Sequence, residues 1–173
     1  MHVNKMKRSS RPLKAALLTA LAGGLMTLLG ASPARAAVLS FGNFPGGVFG
    51  GEGCADVQGG SLNPSTPVNA YNCTAAPNQQ FEFSEQTIYA LGGQTCLDIA
   101  SPNSSPAAGD LVDSYPCNGG SNQQWLYNIY NTGNGEIVSS DSALCLDATT
   151  GTNGTQLVVN NCNDAPSQQW QLK

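Results

Sequence analysis

Basic residues are scarce in this 173-residue chain once its first 36 positions are set aside. Six of the seven Lys and Arg residues and the only His lie within that segment, which leaves Lys173 as the one base against eleven acids. The chain from residue 37 onward therefore carries a formal charge of −10. Because proteins contact phosphate largely through Lys and Arg, this balance argues against nucleic-acid binding and against attraction to anionic membranes.

The scarcity of basic residues, His included, also excludes several common kinds of catalytic site. Ser-His and Cys-His systems need a His that is absent after residue 36. Glycoside hydrolysis needs only two carboxylates that flank one bond, so it stays formally open. The acids here recur in three related places, however, whereas such a pair must meet in one cleft. We therefore predict that the protein is not an enzyme.

The first 36 residues resemble a secretory signal peptide. A basic start is followed by an apolar stretch over 15–29 and by Ala-Arg-Ala at 34–36, a small-x-small cleavage pattern. The apolar stretch is short for a membrane span, although an uncleaved anchor is the alternative. We predict cleavage after residue 36, secretion to the extracellular space, and a single mature domain.

Six cysteines mark a pattern that occurs three times. Each copy has Cys-x-Asp, a second Cys 17 to 21 residues after the first, and Gln-Gln-aromatic six residues later. The copies are Cys54-Ala55-Asp56, Cys73 and Phe81; Cys96-Leu97-Asp98, Cys117 and Trp125; Cys145-Leu146-Asp147, Cys162 and Trp170. A near-constant period of about 45 residues indicates one structural unit repeated.

The repeat also predicts the disulfides. Six cysteines allow 15 pairings, but three equivalent units should each close their own bridge. The predicted bridges are Cys54–Cys73, Cys96–Cys117 and Cys145–Cys162. Zinc is the competing interpretation, yet Cys-x-x-Cys pairs and a later His are missing, so we predict no metal and no cofactor.

Short apolar runs between turn-forming clusters, with no helical periodicity, predict an all-β fold. Three units are too few for a propeller, which needs roughly four to eight blades, but they complete one β-trefoil of three pseudo-symmetric repeats. We assign 37–45 to an N-terminal lead-in and 46–173 to the domain, with repeats at about 46–86, 87–133 and 134–173. The first strand of repeat one is placed around 48–49.

The triple pattern Cys-x-Asp, Cys and Asn-Gln-x-Trp resembles ricin B-type lectins and the related carbohydrate-binding modules of microbial glycoside hydrolases. The resemblance covers about 46–173. It implies a β-trefoil that binds galactose, xylan or other sugars without chemistry, in which Gln-x-Trp chiefly builds the core. The implied partner is a glycan or polysaccharide, and a separate hydrolase or toxin chain is a further candidate.

The resemblance also implies a shallow pocket lined by the Asp of Cys-x-Asp, an aromatic two residues before the second Cys, and the Asn before Gln-x-Trp. If each bridge joins opposed strand positions, the register leads to the same residues. The predicted opposed pairs are Asp56 with Tyr71, Asp98 with Tyr115, and Asp147 with Asn160. A carboxylate beside a ring suits a sugar, whose C–H face packs on aromatics while its hydroxyls donate to charged acceptors.

The candidate carbohydrate-binding residues are therefore Asp56, Tyr71, Asn78, Gln79, Asp98, Tyr115, Asn122 and Gln123. The glutamines are counted with the sites although their main expected role is to satisfy buried backbone groups. A third site of Asp147, Asn160 and Gln168 should be weak or degenerate, because Asn160 replaces the aromatic and Ser167 replaces the Asn.

Other interpretations of these residues stay open. The Asp residues could cap backbone amides, and the Tyr residues could be ordinary strand tyrosines. A trefoil can also bind protein, as a protease inhibitor or a toxin-associated subunit. With carboxylates but no His, sugar binding should be flat from about pH 6 to 9 and fall in acid.

Overall fold

The computed structural model describes residues 36–41, 52–101, 105–130, 133–149 and 152–173. Throughout these residues the regular structure consists of β-strands and short 3₁₀ turns, and they contain no α-helix. The all-β prediction is confirmed. None of the described segments forms a helix of the length and apolar character needed to cross a membrane.

Thirteen strands are found in the described residues, about four in each repeat. Unit one comprises β1 (Ala37–Phe41), β2 (Gly53–Val57), β3 (Thr66–Asn72) and β4 (Gln80–Ser84). Unit two comprises β5 (Thr87–Ala90), β6 (Thr95–Ala100), β7 (Leu111–Tyr115) and β8 (Trp125–Ile129). Unit three comprises β9 (Gly135–Ser139), β10 (Leu144–Asp147), β11 (Thr155–Gln156), β12 (Val158–Asn161) and β13 (Trp170–Leu172).

The three units join into a β-trefoil. The first and last strands of the units pair antiparallel in a barrel-like ring through β1–β4, β4–β5, β8–β9, β9–β13 and β13–β1. Each unit adds a hairpin from its middle strands, β2–β3, β6–β7 and β10–β12. The hairpins meet through β3–β7, β7–β12 and β3–β11, so the middle of one unit always lies against its neighbours.

The closing aromatic of each repeat lies in the core, as predicted. Phe81, Trp125 and Trp170 are at most 1% exposed. Each indole N–H donates to a carbonyl of its own unit, Trp125 Nε1 to Leu97 at 3.0 Å and Trp170 Nε1 to Leu146 at 2.9 Å. These contacts satisfy the polar edge of a side chain that otherwise contributes buried apolar area.

The three predicted intra-repeat disulfides are confirmed, with Cα–Cα distances of 5.0, 5.1 and 5.1 Å. The register inferred from them is wrong by two residues. Asp56 pairs with Asn69, Asp98 with Asp113, and Asp147 with Val158, while Tyr71, Tyr115 and Asn160 pair with the first Cys of each unit. The second Cys lies beyond the strand, so the bridge runs diagonally across the end of each hairpin.

A strand lies within the segment that was assigned to an N-terminal lead-in. Residues 48–49, where the first strand was expected, lie outside the described residues. The first described strand is β1, inside the segment assigned to a lead-in. Its Leu39 and Phe41 are core residues, and Phe41 packs edge-on against Trp170 with ring centroids 5.2 Å apart. Residues of the predicted lead-in therefore contribute to the hydrophobic core.

Candidate functional site

A buried Asp of Cys-x-Asp occupies the same position in every unit, held by a Gln from a 3₁₀ turn. These turns are Pro77–Gln79, Ser121–Gln123 and Pro166–Gln168. The amide Nε2 of Gln79, Gln123 and Gln168 donates to Oδ2 of the Asp in its own unit at 2.8 to 3.0 Å. Burial alone would penalise these carboxylates, and the amide donors offset part of that cost.

The Gln uses its whole side chain to position the Asp. Gln79 Nε2 also donates to the Asn72 carbonyl at 2.8 Å, and its Oε1 accepts from the Thr74 amide at 2.7 Å. Gln79 is 0% exposed and Gln123 is 1% exposed. Both glutamines therefore lie behind their carboxylates, with almost no surface of their own exposed.

Site one is the cavity of about 480 Å³ next to Asp56. Asn78 Nδ2 donates to Asp56 Oδ1 at 2.9 Å and to the Val57 carbonyl at 3.0 Å, which fixes the amide at the rim. Tyr71 is 41% exposed beside them. The remaining lining residues include Gln58, Asn69, Thr74 and, from unit three, Gly154.

Site two is the corresponding cavity of unit two, about 570 Å³. Asn122 Nδ2 donates to both oxygens of Asp98 at 2.9 Å. Tyr115 lines the opening, and Ser65 of unit one closes one side. Each of these two cavities thus lies at a joint between units, where the hairpin strands of neighbouring repeats pair.

The corrected register adds one residue to each site that the sequence analysis missed. Asn69 in site one and Asp113 in site two lie directly opposite the central Asp, and the predicted tyrosines lie one diagonal step away. Asp113 and Tyr115 are two positions apart on one strand and so share a face. That alternation, read backward from each Tyr, was the signal in the sequence that could have found both.

Unit three brings its residues together differently. Asp147 Oδ1 accepts from the Thr149 amide at 2.6 Å, and Oδ2 accepts from Asn160 and Gln168, both at 3.0 Å. Asn160, which replaces the aromatic, turns inward onto the carboxylate instead of presenting a ring. Ser167 is buried at the position that Asn78 and Asn122 hold in the other units.

Sequence comparison supplies the family. A model of the ricin-type beta-trefoil lectin domain matches residues 47–170, most of the chain. The chain belongs to this family. Ricin-type domains are generally carbohydrate-binding and non-catalytic, in agreement with the resemblance carried by the three Gln-x-aromatic motifs. No match was found among curated protein sequences.

Solved structures share the ricin-type fold. The designed three-fold symmetric protein ThreeFoil is 25% identical, with 69% of this chain and 89% of that chain covered and a TM-score of 0.63. A non-toxic homologue of type II RIPs from Momordica charantia is 25% identical, with 80% of this chain but 47% of its own covered and a TM-score of 0.63. The Rhizoctonia solani agglutinin, 18% identical with 82% and 96% covered and a TM-score of 0.66, shares the fold.

The carboxylates of this ricin-type domain differ in their pKa. Burial raises the pKa of Asp56 and of Asp98 above the usual value, and the hydrogen bonds from Gln and Asn reverse only part of the shift. In Asp147, burial is outweighed by the bonds from Asn160, Gln168, Thr149 and Ser167, so its pKa is lowered.

Asp113 has the largest of these shifts. Burial, together with repulsion from Asp98, raises the pKa of Asp113 to about 6, although a hydrogen bond from Ser65 opposes the change. Site two therefore titrates within the range over which the sequence predicted flat binding. We expect ligand binding at this site to change near pH 6, where Asp113 takes up a proton.

Asp113→Asn should stabilise the ricin-type domain at neutral pH. The folded-state pKa of Asp113 exceeds the unfolded one, so the folded protein binds more protons and its stability falls as pH rises from about 4 to 6. Removing the buried charge should add about 1–3 kcal/mol to the free energy of unfolding at pH 7 and flatten this dependence. Thermal melts at pH 5 and 7 test this, with Glu85→Gln on an exposed turn as the charge-matched control. An equal gain in both variants would contradict it.

Proposed function

We propose that this protein is a secreted lectin that binds neutral sugars, such as galactosides or xylan-type glycans, through sites one and two. One observation carries the proposal. In units one and two a hydrogen-bonded carboxylate, a Tyr and a rim Asn line an open cavity of several hundred Å³. The family assignment supports the coarser statement that the domain binds carbohydrate.

The chemistry of these cavities suits a pyranose ring. A Tyr face packs against the C–H groups of the sugar. The oxygens of Asp56 and Asp98 accept from hydroxyls, and a hydrogen bond to a charged acceptor is the stronger kind. The rim amides of Asn78 and Asn122 each keep an oxygen that can accept from the ligand. The Tyr ring and the Asp carboxylate together therefore fix the orientation of the bound sugar at each site.

Relatives support the class of ligand. The structure of the Momordica charantia homologue is a complex with alpha-methyl-D-galactoside. We therefore propose a galactoside as a candidate ligand of this protein. For unit three we propose weak binding or none, since the oxygens of Asp147 are already engaged by four donors of its own unit.

We also propose that the protein is exported from the cell and that it can associate with a separate partner chain. Three disulfides are typical of an oxidising compartment, which supports cleavage of residues 1–36 and an extracellular location. The fold also occurs in a mosquitocidal holotoxin and in an exo-beta-1,3-galactanase from Clostridium thermocellum, where the match covers 17% and 29% of those chains. A separate toxin or hydrolase chain is therefore a candidate partner.

Retention on immobilised galactan and xylan tests the lectin function. The protein should be retarded on at least one polysaccharide, be eluted by the matching free sugar, and release no reducing sugar from it. Retention should survive EDTA, because neither site offers the six or more oxygen ligands that calcium prefers. Release of reducing sugar would favour the hydrolase alternative. Failure to bind any glycan on an array, with capture of a protein partner, would favour the protein-binding trefoil.

A further inference from the structure

Site two contains two carboxylates where site one contains one. Asp98 on β6 and Asp113 on β7 are directly opposite in the antiparallel ladder, so their side chains lie on the same face. Both residues line the site-two cavity. Asp113 is 3% exposed, and its Oδ1 has no hydrogen-bond partner among the described residues. A buried acceptor in that state is costly until a ligand donor satisfies it.

The equivalent position in unit one shows what is unusual about Asp113. There the residue opposite the central Asp is Asn69, a neutral amide in an otherwise matching cavity. In unit three the position is Val158. The second negative charge is thus a property of site two alone among the three units, and the repeated fold does not require it.

No cation of the described chain neutralises this pair. Lys173, the one base after residue 36, contacts Glu52 instead. The oxygens of Asp98 accept from the side-chain amides of Asn122 and Gln123, which carry no charge. The Ser65 hydroxyl, which opposes the rise in the pKa of Asp113, is a neutral group. Asp113 therefore lines the cavity with a buried, unpaired Oδ1 and with no cation of the described chain to balance its charge.

We propose that site two selects an amino sugar, a hexose unit whose free amine is protonated, over the neutral or N-acetylated form. The proposal rests on the proposed carbohydrate-binding function and names the ligand class of one of its two sites. The ammonium group lies close to the carboxylates of Asp98 and Asp113, while the ring of the sugar packs against Tyr115. A cation held near the face of Tyr115 is attracted by the ring as well.

The donor set fits an ammonium group better than a divalent metal. Calcium takes six to eight oxygens, whereas the pair provides four carboxylate oxygens, and both of those on Asp98 already accept from amide donors. One N–H of the positively charged ammonium group matches the one unpaired oxygen of the Asp113 carboxylate. Acetylation of the amine removes that charge, so site two should bind the N-acetylated sugar less tightly than the free-amine form.

Calorimetry with oligomers of D-glucosamine and their fully N-acetylated counterparts tests the proposal. In a Tyr71→Ala background, which leaves site two as the working site, the free-amine oligomer should bind at least about 10-fold more tightly at pH 7. Asp113→Asn should abolish that ratio. The reciprocal change Asn69→Asp, placed in a Tyr115→Ala background, should create the preference in site one.

Controls separate the site from the overall charge of the protein. Glu85→Gln removes one exposed acid and should leave the ratio unchanged; an equal loss in this variant would assign the preference to the net charge of −10 and overturn the proposal. A ratio near one in the wild type, with neutral sugars still bound, overturns the amino-sugar proposal and leaves the lectin function intact. Absence of binding to any sugar overturns both. Asp113-dependent binding of Ca²⁺ alone would show a metal site instead.

The pH dependence provides a second readout. The charged group that faces Asp113 from β6 is Asp98. On the other side β3 places Pro67 opposite Asp113, Ser65 precedes β3, and β12 pairs with β7 only at Val158 and Leu111. None of these neighbours from β3 and β12 has an ionisable side chain. The preference for the free amine should decline as pH falls through about 6, where Asp113 takes up a proton. In Asp113→Asn this decline should vanish; its persistence there would contradict the assignment to Asp113.

Discussion

Replacing both Tyr71 and Tyr115 with Ala should abolish retention on the polysaccharide that the wild type binds. Each shallow site offers a single aromatic ring, so a monosaccharide should bind at about millimolar affinity. A polymer can engage both sites of one rigid body, and the resulting effective concentration raises avidity by about 10²-fold or more. Affinity chromatography and calorimetry measure the two quantities separately.

The single variants and a third-unit control sharpen this test. Tyr71→Ala or Tyr115→Ala alone should leave monosaccharide binding at the other site but reduce polymer retention about 10²-fold. Asn160→Ala in unit three should alter neither, although it removes a contact to Asp147. Because Tyr71 is substantially exposed, its loss should cost little stability. If the double variant retains sugar normally, the binding surface lies elsewhere and both tyrosines are ordinary strand residues.

Gln79→Glu should be strongly destabilising at neutral pH. The change replaces an amide that donates to Asp56 and to the Asn72 carbonyl with a second carboxylate that donates to neither. A buried charge left without compensation costs about 3–5 kcal/mol of unfolding free energy. Sugar binding at site one should be lost together with the orientation of Asp56. Chemical denaturation and calorimetry provide the two measurements.

The pH dependence distinguishes this mechanism from a simple packing defect. Two carboxylates in contact share a proton, so their folded-state pKa values rise above the unfolded ones near 4. Stability should therefore be largely restored at about pH 4 to 5 and lost as pH rises toward 7. Gln80→Glu is the matched control, since the neighbouring Gln80 is only partly buried and bonds a single carbonyl, that of Ala75. Equal losses in both variants, or a loss independent of pH, would contradict the explanation.

Long-range sequence regularity predicted the larger features well. Three phased copies of Cys-x-Asp, Cys and Gln-Gln-aromatic specify three equal units, and equal units restrict the bridges to those within a repeat. The burial of Phe81, Trp125 and Trp170 followed from the same periodicity, because each unit must cover its apolar face with its neighbours. The number of units, the disulfide pairing and the burial of the closing aromatics all depend on which residues recur along the chain. The sequence shows that recurrence directly.

The details of the site depended on where each strand ends. The sequence predicted the fold and the disulfides, and the central Asp and the Tyr that it named in units one and two do line cavities, since these features are set by spacing within one unit. It did not reveal that Cys73 and Cys117 lie past the ends of β3 and β7, which shifts the register by two residues and brings Asn69 and Asp113 opposite the central carboxylates. Tertiary structure alone decided that Gly154 and Ser65 close the sites from neighbouring units, and that Asp113 is buried with one oxygen unpaired. Burial and charge coupling arise from packing between units, which no local spacing encodes.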